Sequence, residues 1–104
     1  MEEELKEWLE KYDDKVKSFG FTFRRIGDGG LIERVETCIW YKKPVENFIN
    51  WLMVFYNEKE QKVLINLGIK PPIKRKRFKI FTHITTEEAF KILEEFKNLE
   101  ESNY

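Results

Sequence analysis

The stretch Phe48-Ile49-Asn50-Trp51-Leu52-Met53-Val54-Phe55-Tyr56 is the most apolar in the chain, and its reading decides the fold. Periodicity alone leaves a strand and a buried helix open. Polar residues bound it on both sides and aromatics crowd it, which favours a strand. As a strand it alternates, with Ile49, Trp51, Met53 and Phe55 on one face and Leu52, Val54 and Tyr56 on the other. Both faces are apolar, so both need cover.

Working outward, Leu31 to Lys43 reads as a preceding strand, with Val35, Thr37, Ile39 and Tyr41 on one face and Cys38 and Trp40 on the other. Pro44 ends it. Upstream, Phe21-Thr22-Phe23 alternates as a short strand, and Gly27-Asp28-Gly29-Gly30 supplies the residues of a hairpin turn. Downstream, the polar loop 57–61 leads into Lys62–Ile69, where Val63, Ile65, Leu67 and Ile69 alternate. Pro71 and Pro72 interrupt the pattern, since proline lacks the ladder donor. Phe78, Ile80, Thr82 and Ile84 then alternate as a fifth strand, which leaves Lys79, Phe81 and His83 on a partly exposed face.

Helical spacing brackets these strands. Leu5, Trp8, Leu9, Tyr12, Val16 and Phe19 recur at three and four residues, and Gly20 follows the last of them as a stop. Ala89, Ile92, Leu93, Phe96 and Leu99 form a second helical face, opened by Thr85 and Glu88 at capping-box spacing. The expected architecture is α+β: an N-terminal helix, a five-stranded antiparallel meander sheet and a C-terminal helix. One domain spans 1–100, with a frayed tail over 101–104.

Two helices cover only one face of such a sheet. The second face is left to sheet curvature around one helix, to one helix on each side, or to a second molecule. A homodimer or another protein partner that buries Trp40, Trp51 or Phe55 is the expectation from this pattern.

Composition excludes several classes. The 104 residues are 41% hydrophobic and 37% charged, and no run approaches the ~20 apolar residues that cross a membrane. The acidic start Met1-Glu2-Glu3-Glu4 resembles neither a secretory signal nor a transit peptide. One cysteine and one histidine cannot build a four-ligand Cys/His zinc site, and a single cysteine forms no internal disulfide. A cytoplasmic protein with no metal and no cofactor is expected. Sixteen Glu and fourteen Lys beside one Gln and one Ala match a hyperthermophile's composition. An AT-rich genome gives the same bias, and the small size would suit a viral accessory protein.

Net charge is zero but unevenly spread. The acids concentrate at the two ends, whereas 70–84 holds six bases and no acid: Lys70, Lys74, Arg75, Lys76, Arg77 and Lys79. This segment could track a phosphate backbone, joined by Arg24 and Arg25, with Trp40, Trp51 or Phe78 as stacking surfaces. Against that stands a gatekeeper role, in which charge and proline before Phe78-Lys79-Ile80-Phe81 discourage edge pairing. Pairing with the acidic helices is a third reading. No helix-turn-helix, RNA-recognition aromatic motif or zinc module accompanies the segment.

Candidate chemistry is sparse. Ser18 and Ser102 sit at a helix end and in the tail, neither in a strand-turn-helix elbow. Cys38 and His83 could form a thiolate–imidazole pair, but they fall in different strands. The glycines at 27–30 precede a strand rather than a helix N-terminus, so they make no phosphate cradle. Asp13 and Asp14 point apart on a helix, and Glu33 and Glu36 fall on opposite strand faces. The sequence therefore predicts a non-enzymatic intracellular binding module. It offers protein contacts through an apolar sheet face and polyanion contact through 70–79. A small enzyme using Cys38 or His83 with carboxylates is the alternative.

Overall fold

A computed structural model describes residues 3–27, 36–42, 49–69 and 79–102. Helix α1 (Glu3–Ser18) is followed by strands β1 (Thr22–Gly27), β2 (Thr37–Tyr41), β3 (Ile49–Asn57), β4 (Lys62–Ile69) and β5 (Lys79–Ile84), and then by helix α2 (Thr86–Ser102). The strands form one sheet in the order β1-β2-β3-β4-β5, every neighbouring pair antiparallel. The α+β meander expected from the sequence is the fold.

Local chemistry sets the helix limits. Glu3 and Glu4 occupy the first turn of α1, and Lys15 and Lys17 the last, each sign at the end the helix dipole favours. At its C-terminus the Phe19 and Gly20 amides donate to the carbonyls of Val16 and Lys17 at 3.1 and 2.9 Å. Gly20 holds φ +93°, a conformation that costs other L-residues about 1–2 kcal/mol. The capping box opens α2. The Glu88 amide donates to Thr85 Oγ1 at 3.2 Å, and the Thr85 amide donates to Glu88 Oε1 at 3.3 Å.

Both helices lie on the same sheet face. Leu5, Trp8 and Val16 of α1 and Ala89, Phe90 and Leu93 of α2 share one core with Cys38, Trp40, Leu52, Val54, Ile65 and Leu67. One helix on each face, one of the options left open above, is therefore not the arrangement. Phe90 falls outside the sequence-derived face of α2, yet it joins the helices. Its ring stacks on Trp8 at 6.3 Å and on Phe19 at 6.2 Å. The Trp8 indole also donates to Thr86 Oγ1 at 2.9 Å. Aromatic pairs of this kind add about 0.5–1.5 kcal/mol each beyond their area.

Of the three register shifts among the described strands, two move side chains from the faces that simple alternation gives them. Between Ile49 and Trp51 the β3–β4 register shifts, so Ile49 packs in the helix-covered core with Leu52 instead of sharing a face with Trp51, Met53 and Phe55. The second shift separates Ile65 from Leu67 in their pairing with β5. His83 there adopts φ +55°, and its amide donates to the side-chain oxygen of buried Asn66 at 2.8 Å. Phe81 and Ile84 consequently both pack against the helix-side core, and His83 turns to the other face, 5.3 Å from the Phe55 ring. The sequence expectation that Phe81 and His83 share a face is thus corrected.

The second face has its own cluster of Ile39, Met53, Phe55 and Leu64, each at most 4% exposed in the single chain, with Trp51 packed at its margin. Covering these four side chains needs no second molecule. Residues 28–30 of the expected hairpin turn, the first part of the predicted second strand (31–35) and the proline-containing segment lie outside the described residues.

Candidate functional site

Expected interface residues separate on folding. Trp40 is fully buried under the helices, 6.0 Å from the Trp8 ring, because the parity of β2 turns it towards the helix-side core. Phe55 is fully buried too, on the second face. Trp51 alone of the three keeps partial exposure.

Trp51 stands in a register row across the sheet. Its ladder partners are Tyr41 on β2 and Gly68 on β4; Thr22 of β1 pairs with Tyr41, and Ile80 of β5 pairs with Gly68. Residues directly opposite on antiparallel strands share a face, so Tyr41 and Trp51 stand together on the side away from the helices. Tyr41 is 39% exposed. Gly68 decides where the indole lies. A Cβ at that position would stand 1.9 Å from Trp51 Cε2 and 2.2 Å from Nε1, so the indole fills the space a side chain would take and crosses the β4 backbone. A large aromatic leaning over a strand glycine shields the backbone it covers.

Beside this row the chain enters and leaves its basic segment. Ile69 ends β4, Lys79 begins β5, and the two are register partners. The nine intervening residues, carrying Lys70, Lys74, Arg75, Lys76 and Arg77, therefore leave from Ile69 and return to Lys79, the pair next to Gly68–Ile80. Those five cations and Phe78 lie outside the described residues. At the other side of the sheet Arg24 falls at the register shift in β1, and Arg25 pairs with Ile39 of the second-face cluster.

Topology also layers the charge. α1 carries six acids and four bases, and α2 six acids and two bases, leaving −2 and −4 on the two helices. Both helices back the same face. A helix is about 10 Å across and packs about 10 Å from a sheet, so its outer carboxylates sit ~15 Å behind the opposite face. The Debye length is about 10 Å at 0.1 M salt. At the Tyr41–Trp51 row the helical charge is therefore largely screened, and zero net charge does not bar a polyanion from that side.

The residues considered for catalysis do not converge. Cys38 belongs to the helix-side core on β2 and His83 faces Phe55 on β5, so the sheet lies between them and about 14 Å of strand spacing separates their strands. Burial raises the Cys38 thiol to about 11, helped by the nearby Glu36 carboxylate, which keeps it protonated at neutral pH. Ser18 donates its hydroxyl to the Lys15 carbonyl. A shallow cleft between Phe19, Lys42, Ile49, Leu93, Phe96 and Lys97 has about 230 Å³ of empty space, open solvent included. Among the described residues no helix is long and apolar enough to cross a membrane. Comparison with protein-family models, curated proteins and solved structures finds no match to this chain.

Proposed function

We propose that the protein is a nucleic-acid-binding module whose contact surface is the helix-free sheet face at the Tyr41–Trp51 end. Phosphates are met by the adjoining basic segment 70–79. The observation that carries this reading is the Ile69–Lys79 pairing, the two ends joined by a stretch rich in Lys and Arg, which stands next to the Gly68 position that Trp51 covers. Cations supply the sequence-independent attraction and aromatic rings a surface for bases. The layered charge adds direction, because approach from the helix side meets two negative helices.

Replacing Lys74, Arg75, Lys76 and Arg77 together by Ser tests it. By fluorescence anisotropy at 50 and 200 mM salt, wild-type affinity for an oligonucleotide falls steeply, with a slope near −0.7 per contacted phosphate on a single strand and −0.9 on duplex. The variant binds more weakly and with a flatter slope. Absence of wild-type binding at 50 mM salt, with aggregation of the variant, assigns the segment to guarding the β5 edge instead.

A further inference from the structure

We propose that the seam between α1 and α2, on the helix side of the molecule, docks an acidic and apolar peptide segment of a partner protein. This site is separate from the sheet end proposed above for nucleic acid. Four ammonium groups converge at the seam, each over an aromatic ring. Lys11 Nζ lies 5.2 Å from the centre of the Tyr12 ring, and Lys15 Nζ 4.5 Å from that of Phe90. Lys97 Nζ stands 5.7 Å from the Phe19 ring centre and Lys42 Nζ 5.2 Å from that of Phe21. Three of the rings form a continuous strip, with Phe90 5.5 Å from Tyr12 and 6.2 Å from Phe19. At its Phe19 end the strip opens into the shallow cleft, where Lys42 and Lys97 stand with Ile49, Leu93 and Phe96. Lys11 and Lys15 are exposed, so each ammonium has a ring on one side and water, or a carboxylate, on the other.

The charge pattern selects the occupant. Both helices are net negative, yet their acids stay off the strip. At about 100° per residue, Lys11 and Lys15 share one flank of α1 and Asp13 points to the other. There Asp13 pairs with Lys17 at 2.9 Å. The exposed Glu7 and Asp14 of α1, and Glu87 and Glu94 of α2, fall along the outer margins of the strip. A narrow line of cations between two acidic margins disfavours a broad, uniform polyanion such as a duplex. It suits a peptide whose carboxylates lie along its own centre line. The floor adds the apolar requirement: an apolar side chain seats in the cleft, and the carboxylates beside it meet Lys42, Lys97 and Lys15.

A fluorescein-labelled peptide, Glu-Glu-Leu-Phe-Glu-Glu, titrated into the intact protein at 50 mM salt and read by anisotropy, tests the site. Saturable binding is expected, weakened by at least about 10-fold when Lys15→Glu and Lys97→Glu are combined. Lys15→Arg with Lys97→Arg should retain most of the affinity, because a cation stays over each ring. Lys6→Glu with Lys59→Glu changes the net charge equally at exposed positions away from the seam, and should leave binding within about 2-fold. Hexaglutamate lacks the apolar anchor and should bind about 10-fold more weakly. Circular dichroism and urea unfolding check that each variant is folded; if the glutamate pair is not, Lys15→Gln with Lys97→Gln, read beside the arginine pair, decides the same point. No saturable binding by the wild type overturns the proposal. Equal weakening by both charge-reversal pairs also overturns it, since net charge alone then explains the attraction, and equal affinity for hexaglutamate does so by removing the cleft as an anchor. A seam variant that is less stable in urea but binds the peptide as wild type does leaves the lysines as covers for the rings only. Oligo-dT that displaces the peptide assigns the seam to nucleic acid instead; binding of both at once is expected.

Discussion

At Gly68 an absent side chain determines where a neighbouring one lies. Nothing local in Leu67-Gly68-Ile69 signals this, because a strand glycine matters only once its cross-strand partner is known to be Trp51. Gly68→Ala puts a methyl group into the indole and is expected to cost about 1–3 kcal/mol in urea unfolding. In a Trp51→Ala background the same change should cost nothing or stabilise slightly, since alanine is better tolerated in a strand than glycine. An unchanged cost in the double variant would place the strain elsewhere. Cys38 offers a second test. With its folded thiol raised to about 11 from 9.0, mainly by burial, the protein is protonated at Cys38 in both states below about pH 8 and that stability is fully present. As pH rises from 9 towards 11 the unfolded thiol ionises first and stability falls. Iodoacetamide at pH 8 should therefore label the native protein far more slowly than the urea-unfolded chain; equal rates would contradict burial of the thiol.

Individual elements differ in how far they could be read from the sequence. The capping box at Thr85 and Glu88 was legible because four consecutive residues contain all of its hydrogen bonds. The Gly20 stop was legible for the same reason. The β5 bulge was not, because it depends on Asn66, seventeen residues upstream, whose side chain takes the His83 amide. Its only advance sign was a polar residue among the apolar positions of β4. Asn66→Ala leaves that amide without its acceptor and is expected to cost about 1–3 kcal/mol, with faster hydrogen exchange at His83. His83→Gly should relieve the positive φ and offset part of that loss when combined with it. If Asn66→Ala is neutral, the bulge does not rest on this bond. Ile49 was assigned to the wrong face by the same blindness to register: one shift before Trp51 reverses parity for everything upstream.

For the whole molecule, element order and strand count followed from alternation and helical spacing, and the charge blocks were countable residue by residue. Their arrangement in layers was not countable, because a helix following or preceding a sheet can settle on either face. Placing α1 and α2 together turns a neutral chain into one with an acidic helical side and a sheet side bearing Tyr41 and Trp51. It also buries Trp40 and Phe55 within the single chain, whereas among the described residues Ile26 and Tyr41 are the large hydrophobic side chains that stay exposed. The proposal that the sheet end bearing Tyr41 and Trp51 binds nucleic acid is tested most directly by titrating an oligonucleotide into ¹⁵N-labelled protein and mapping the amide and indole shifts. Shifts concentrated at Tyr41, the Trp51 indole, Gly68 and Lys79, with α1 and α2 unperturbed, are expected. Shifts confined to the helices, or none at saturating oligonucleotide, would contradict it.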